Sequence, residues 1–206
     1  MYATFGKRTL DIIGAAVLLV LALVPMAIIA IVIRLTSKGP VFFKQQRTGL
    51  GGKTFRMYKF RSMAPSNDVH DRKCADYVTP VGKVLRATSL DELPQLINVI
   101  RGDMSFIGPR PWLHAYYENM TDKQRQRNSV RPGITGLAQA YGRNSLNIFE
   151  KINYDLEYVR EISLREDVKV IFVTVKTLFD HEAHELGKGG IHDELDELKG
   201  QRVAEG

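Results

Sequence analysis

Only one cysteine, Cys74, occurs in the 206 residues. An internal disulfide is therefore excluded, which suits a reducing compartment. No cluster of cysteine and histidine has metal-ligand spacing; His181 and His184 could share a helix face, but they lie in a polar stretch and read as solvated. Internal repeats are absent. Acidic residues are nearly missing from the start of the chain: up to Met63 there are ten Lys and Arg against Asp11 alone. Charge of either sign is missing from Ile12 to Ile33.

That uncharged stretch is long enough to reach across a bilayer, since about 20 helical residues at about 1.5 Å each span about 30 Å. Pro25 falls just past its centre. A proline inside a helix removes one backbone donor and clashes with the preceding turn. The run therefore either spans with a kink or bends and returns to the side it came from. Basic residues on both flanks favour the return, because cytoplasmic flanks carry the Lys and Arg excess and anionic headgroups attract them. Against it, a helix broken in lipid needs other groups to satisfy the freed carbonyls, and the neighbours Val24 and Met26 offer none. The run is too long for a cleaved signal peptide, and no small-residue cleavage site follows it.

With a net charge of +6 overall, the basic start leaves a near-neutral remainder. This is a membrane-facing region joined to a body of one domain. It is not the footprint of a nucleic-acid binder. The expected organisation is a membrane-inserted segment over 1–36, a folded domain over 37–186 and a polar, loosely ordered tail over 187–206. The fold class is α+β, mostly helical.

Val41–Arg47 and Thr54–Met63 read as strands, with Gly49, Gly51 and Gly52 turning a hairpin. Ala64–Asp76 reads as a loop. Helices are expected near Thr79–Pro80, near Ser89, over Trp112–Arg127, over Ile148–Arg160 and over Arg165–Asp180. Gly102–Pro111 and Arg131–Gly142 hold glycine and proline and read as irregular. In the last of these helices Val168, Ile171, Phe172, Val175 and Phe179 share one face. That face packs on the domain's own core or lies in a membrane interface; packing on the core is the more ordinary arrangement.

The segment richest in chemistry is Arg86–Arg110, RATSLDELPQLINVIRGDMSFIGPR. Asp91 and Glu92 are adjacent carboxylates, Ser89 and Glu92 have capping-box spacing, and Pro94 requires the helix to start close to Asp91. Taken alone, such carboxylates are ordinary capping groups. Their surroundings argue for more. Arg86 precedes them, Arg110 follows in GPRP, Lys59 and Arg61 end the second strand on one face, and Arg143 follows the Gly-rich RPGITGLAQAYGR. Arginine forks match phosphate oxygens, and one or two carboxylates plus substrate phosphates are what Mg²⁺ takes. Each basic residue alone reads as a solvated charge; the combination with rigid Gly/Pro loops suits a diphosphate beside a membrane.

The strings KFRSM (Lys59–Met63), SLDELPQLINVIRGDMSFIGPRP (Ser89–Pro111) and RPGITGLAQAYGRN (Arg131–Asn144) resemble the signatures of the monotopic phosphoglycosyl transferases, also called bacterial sugar transferases. The resemblance covers nearly the whole chain except Ala64–Asp76 and the acidic tail, and the length resembles the minimal members. It implies a re-entrant helix broken at Pro25 with both ends cytoplasmic, amphipathic interface helices around the catalytic domain, and a monotopic protein on the cytoplasmic face of a bacterial inner membrane. Val24 departs from the serine that often precedes this proline in the family. The implied activity is transfer of a phospho-sugar from a UDP-sugar to polyprenyl (undecaprenyl) phosphate, giving UMP and polyprenyl diphosphate sugar, as a first membrane step of glycoconjugate synthesis. Downstream glycosyltransferases would be partners. Asp91–Glu92 map onto the catalytic pair and Mg²⁺ is the implied cofactor, with Asp91 as its ligand. Arg86, Arg110, Arg143 and Lys59 are the candidate phosphate holders. Glu92 is left between metal binding and handling of the acceptor.

Two other classes are weighed. A CDP-alcohol phosphotransferase would need spaced aspartates on a spanning helix, which are absent; a metal-dependent phosphatase belongs to the same group of alternatives. A non-catalytic lipid-binding scaffold gives no role to DELPQ or GPRP.

Overall fold

The computed structural model describes residues 2–64, 77–142, 146–178 and 191–205. Arg143, Cys74, His181, His184, Phe179 and nearly all of the Ala64–Asp76 loop lie outside them.

The apolar run forms one helix, α1, Lys7–Thr36, preceded by a π-helical turn over Tyr2–Gly6. Pro25 lies inside α1, which is long and apolar enough to cross a membrane. Its buried residues are the polar Asp11, the small Ala15 and Ala22, and Ile33 near its end. A Cβ on Gly14 would stand 3.0 Å from the Phe106 ring, a tight contact that the ring would have to yield to. Most of the large side chains of α1 point outward; Val20, Leu21 and Val24 are 67%, 69% and 70% exposed.

Strands β1 (Phe42–Thr48) and β2 (Thr54–Phe60) pair antiparallel from Phe42↔Phe60 to Thr48↔Thr54. Gly51 and Gly52 turn the hairpin at positive φ, a conformation that costs glycine nothing. Helix α2 (Pro80–Ala87) starts as expected, with the Thr79 hydroxyl accepting from Gly82 N and Pro80 in the first turn. A 3₁₀ turn over Leu90–Glu92 and helix α3 (Gln95–Arg101) follow.

The glycine- and proline-rich segments are more regular than their composition suggests. Ser105–Ile107 forms β3 and Gly133–Thr135 forms β4, a parallel pair with Ser105↔Gly133 and Ile107↔Thr135 in register. The two backbones touch here: a Cβ on Gly133 would fall 2.2 Å from Gly108 N. The expected single helix over Trp112–Arg127 is instead α4 (His114–Asn119) and α5 (Asp122–Arg125), because Thr121 starts a new helix with its own capping box. A short helix α6 (Leu137–Tyr141) fills the segment read as irregular. Helices α7 (Ile148–Glu161) and α8 (Leu164–Leu178) fall where periodicity put them.

Two expectations are corrected. The α8 face carrying Val168, Ile171, Phe172 and Val175 does not pack on the core; Phe172 is 72% exposed, and Val170 and Val173 make the core contacts instead. The tail is not loose throughout, since Ile191–Glu205 forms helix α9. Leu198 is fully buried against Tyr116, Met120 and Ile152, while the Glu194 carboxylate accepts from Tyr116 Oη and Lys151 Nζ at 2.7 Å each. Sparse apolar residues in an acidic run were enough to dock it.

Both ends of α1 rest on this one body. Near the start, Arg8 donates to the carbonyls of Val99 (2.6 Å) and Ile100 (3.0 Å), and Asp11 accepts from Ser105 Oγ (3.0 Å) and Phe106 N (3.1 Å). Near the end, Ile33 is buried against Phe60 and Leu85, and Arg61 donates to the Ser37 carbonyl at 2.8 Å.

Candidate active site

The 3₁₀ turn between α2 and α3 brings two carboxylates to one place. Ser89 enters the turn in the left-handed conformation, φ 56°, and its side chain caps nothing, so the capping-box expectation fails. Pro94 is the residue before α3, which keeps Asp91 and Glu92 outside the regular helix. They are held as turn residues rather than spent as caps.

The two carboxylates meet different surroundings. Glu92 Oε1 accepts from Lys59 Nζ at 2.6 Å and from Arg110 Nη2 at 3.2 Å. Burial pushes the Glu92 carboxyl up, but Arg110 and Lys59 together outweigh it and hold it at about 2. Asp91 is buried and makes no side-chain hydrogen bond among the described residues. Burial raises its pKa above the usual aspartate value, and the cations Lys59, Arg86 and Arg110 offset that only in part. Lys59 is lowered by burial against the opposing pull of Glu92. Among the described residues, one carboxylate is thus held in ion pairs while its neighbour is not.

The expected cations divide. Lys59 and Arg110 reach the pair directly. Arg86 on α2 is exposed and acts on Asp91 through its charge. Arg61 does not share the face of Lys59; β2 ends at Phe60, and Arg61 turns to the end of α1. Arg143 lies outside the described residues.

Sequence reasoning missed the groups that set this geometry. Arg127 and Asp155 form a buried ion pair, with Nε and Nη2 at 2.9 and 2.6 Å from Oδ2. The same Nη2 bonds the carbonyl of Arg110 at 2.8 Å, and the guanidinium lies 3.8 Å from the Trp112 ring centre. Asn98 joins α3 to β2 by accepting from Tyr58 N (3.1 Å) and donating to the Arg56 carbonyl (2.7 Å), which fixes Lys59 relative to Glu92. Arg47 is a further cation facing the site; burial, and then the nearby Arg110 charge, lower it to about 10. No spacing rule points to any of these, because their partners are far away in sequence.

No group of three or more metal-ligating side chains occurs among the described residues. Asp91 with substrate phosphate oxygens still fits a hard cation such as Mg²⁺, which binds through one or two carboxylates plus phosphates. Glu92, committed to Lys59 and Arg110, fits that role less well.

The family model described as bacterial sugar transferase matches residues 2–181. The uncharacterized sugar transferase EpsL of Bacillus subtilis is 43% identical over 85% of this chain and 88% of its own length. A UDP-glucose:undecaprenyl-phosphate glucose-1-phosphate transferase of Caulobacter vibrioides is 42% identical over 84% of this chain and 69% of its own. A UDP-N-acetylgalactosamine-undecaprenyl-phosphate N-acetylgalactosaminephosphotransferase of Aeromonas hydrophila is 40% identical, and the chain spans 44% of it.

Proposed function

The chain belongs to the bacterial sugar transferase family, and from that membership and its site we infer that it transfers a phospho-sugar from a UDP-sugar to polyprenyl phosphate. The observation that carries the reading is the unequal pair: Glu92 bound to two cations, Asp91 buried beside them without a hydrogen bond among the described residues.

In the proposed reaction an Asp91 carboxylate oxygen attacks the sugar-bearing phosphorus of the UDP-sugar. The bond from that phosphorus to the bridging oxygen breaks, and UMP leaves with the electron pair. A phosphate oxygen of polyprenyl phosphate then attacks the aspartyl phospho-sugar, which frees Asp91 and yields polyprenyl diphosphate sugar. Covalent catalysis of this kind divides one hard displacement into two. Arg110, Arg86 and Lys59 would hold phosphate oxygens, with Arg47 behind them and Arg143 as a further candidate. Mg²⁺, held by Asp91 and the substrate's phosphates, would offset charge on the diphosphate.

The reading places the protein on the cytoplasmic face of the membrane, with α1 re-entrant near Pro25. Two observations support that topology. The polar body holds both ends of α1, at Arg8 and at Ile33, and a body outside the bilayer cannot lie on both sides of it. The outward apolar face of α8 gives a second surface suited to a membrane interface. An active site there would meet a soluble nucleotide sugar and a lipid acceptor together. Enzymes that extend the lipid-linked sugar would act next.

The test is a UDP-sugar screen, with UMP as the readout. The relatives' names differ in their sugar, so several UDP-sugars are needed. A stoichiometric release of UMP before acceptor is added, with a phospho-sugar mass on Asp91, is the expected result. Asp91→Asn should abolish both. An adduct on another residue, or a strict requirement for both substrates before UMP appears, would overturn the covalent scheme.

A further inference from the structure

Helix α9 lies at one end of a continuous line of side chains whose other end is Glu92. On α9, the Glu194 carboxylate accepts from Tyr116 Oη and from Lys151 Nζ, each at 2.7 Å. The Tyr116 ring lies 5.3 Å, centre to centre, from the Trp112 ring. The Arg127 guanidinium lies 3.8 Å from the centre of that same Trp112 ring. Arg127 in turn holds the carbonyl of Arg110 at 2.8 Å, and Arg110 Nη2 stands 3.2 Å from Glu92 Oε1.

The line matters because the Arg110 side chain is 46% exposed, so burial does not fix it and its place depends on its backbone. Only Pro111, whose ring sets φ, separates Arg110 from Trp112. Trp112 is tied down by Arg127 at its ring, by Tyr116 beside it, and by its own carbonyl, which accepts from Thr48 N at 2.9 Å. Of these anchors, Tyr116 is the one that α9 controls. Leu198 is fully buried in the cluster that holds Tyr116, and Gln124 donates to Gln201 at 2.8 Å, so α9 is fastened at several points along its length. Tyr116 is itself buried, and a buried hydroxyl that loses its acceptor is costly to leave in place. Without Glu194 the ring gains a reason to turn, and Trp112 loses a neighbour.

We propose that α9 is a positioning element of the active site: Glu194 holds Tyr116, and through Trp112 and Arg127 it sets the backbone of Arg110 for phosphate binding. The inference rests on the activity proposed above and gives the C-terminal helix a part in donor binding. Glu194 touches neither substrate nor reacting atoms; it is a positioning residue. A helix that merely covered the core would change stability and have no particular connection to Arg110.

The test is kinetic, with the full chain in lipid nanodiscs and UMP release as the readout. Glu194→Ala should lower kcat/KM for the UDP-sugar about three- to tenfold. Glu194→Gln can still bond both Tyr116 and Lys151, and should stay within about twofold of wild type. Tyr116→Phe should lose as much as Glu194→Ala, and the two together no more than either alone. In an Arg110→Lys background, Glu194→Ala should cost less than about twofold further, because the group it positions has already been changed. A folded Glu194→Ala with wild-type kcat/KM overturns the proposal. So does an equal fold-loss in the wild-type and Arg110→Lys backgrounds, which would mean that α9 does not act through Arg110. Should Glu194→Ala fail to fold, Tyr116→Phe in the same two backgrounds decides in its place. Failure of the catalytic reading is distinct, because it appears as no UMP from any UDP-sugar with the wild-type chain.

Discussion

The guanidinium of Arg127 holds the backbone carbonyl of Arg110 at 2.8 Å while remaining bonded to Asp155. A buried ion pair on one side of the domain thus sets the position of an arginine that reaches Glu92. Both members are almost inaccessible, with side chains 1% and 2% exposed. Arg127→Ala would leave Asp155 charged and unpaired, and breaking a buried pair in this way costs about 3–5 kcal/mol. Denaturant titration in detergent should find a loss of that order. Arg127→Lys keeps a charge but not the fork, so it should fold and still lower turnover. A stability within 1 kcal/mol of wild type for Arg127→Ala would refute the role assigned to the pair.

The unequal carboxylates predict opposite pH behaviour. The proposed nucleophile Asp91 would attack in its ionised form, and its pKa is raised, chiefly by burial, so turnover should fall on acidification at a pH above the usual aspartate range. Lys59→Met removes a cation that lowers Asp91, and should move this acid limb to higher pH. A limb that stays in place would count against Asp91 as the titrating group. Glu92 has the opposite sign. Its folded pKa of about 2 lies below the ordinary 4.5, so its stabilisation is complete above about 4.5 and is lost as pH falls towards 2. The stability difference between wild type and Glu92→Gln should shrink over that window.

Topology is open to direct measurement. With both ends of α1 held by one body, single cysteines placed near Arg8 and near Lys38 should both resist a membrane-impermeant thiol reagent added outside intact cells. Labelling of the amino-terminal position alone would establish a span. Pro25→Ala restores a backbone donor and should shift molecules towards that spanning form.

The metal and the arginine fork have separate signatures. Chelator should abolish turnover and added Mg²⁺ should restore it. Arg110→Lys retains charge at Glu92 but loses bidentate contact with phosphate, and should cut kcat/KM by about tenfold or more. Full activity in chelator would remove Mg²⁺ from the scheme without touching the role of Asp91.

Phe172 tests the outward face of α8. Because it is exposed and touches no core cluster, Phe172→Glu should leave the folded domain's melting temperature nearly unchanged. Partition onto anionic vesicles should weaken if that face enters the interface. Unchanged partition would remove this face of α8 from the membrane contact.

Local chemistry determined much of this protein in the sequence itself. The uncharged run became α1, the glycines at 49, 51 and 52 became a hairpin turn, and Thr79–Pro80 started α2, because each signal acts within a few residues. The strings around Asp91 and Arg110 are local in the same way, and the fold brings Arg110 to within 3.2 Å of Glu92. Only the tertiary structure decided what depended on distant partners. The three-residue strands β3 and β4 exist because Gly108 and Gly133 let two backbones meet. Spacing described the apolar face of α8 correctly but could not say that Val170 and Val173, on another side, would be the ones buried. Nor could adjacency tell Asp91 from Glu92: Lys59 arrives from β2 and Arg110 from beyond β3, and their approach to Glu92 alone makes two neighbouring carboxylates chemically different.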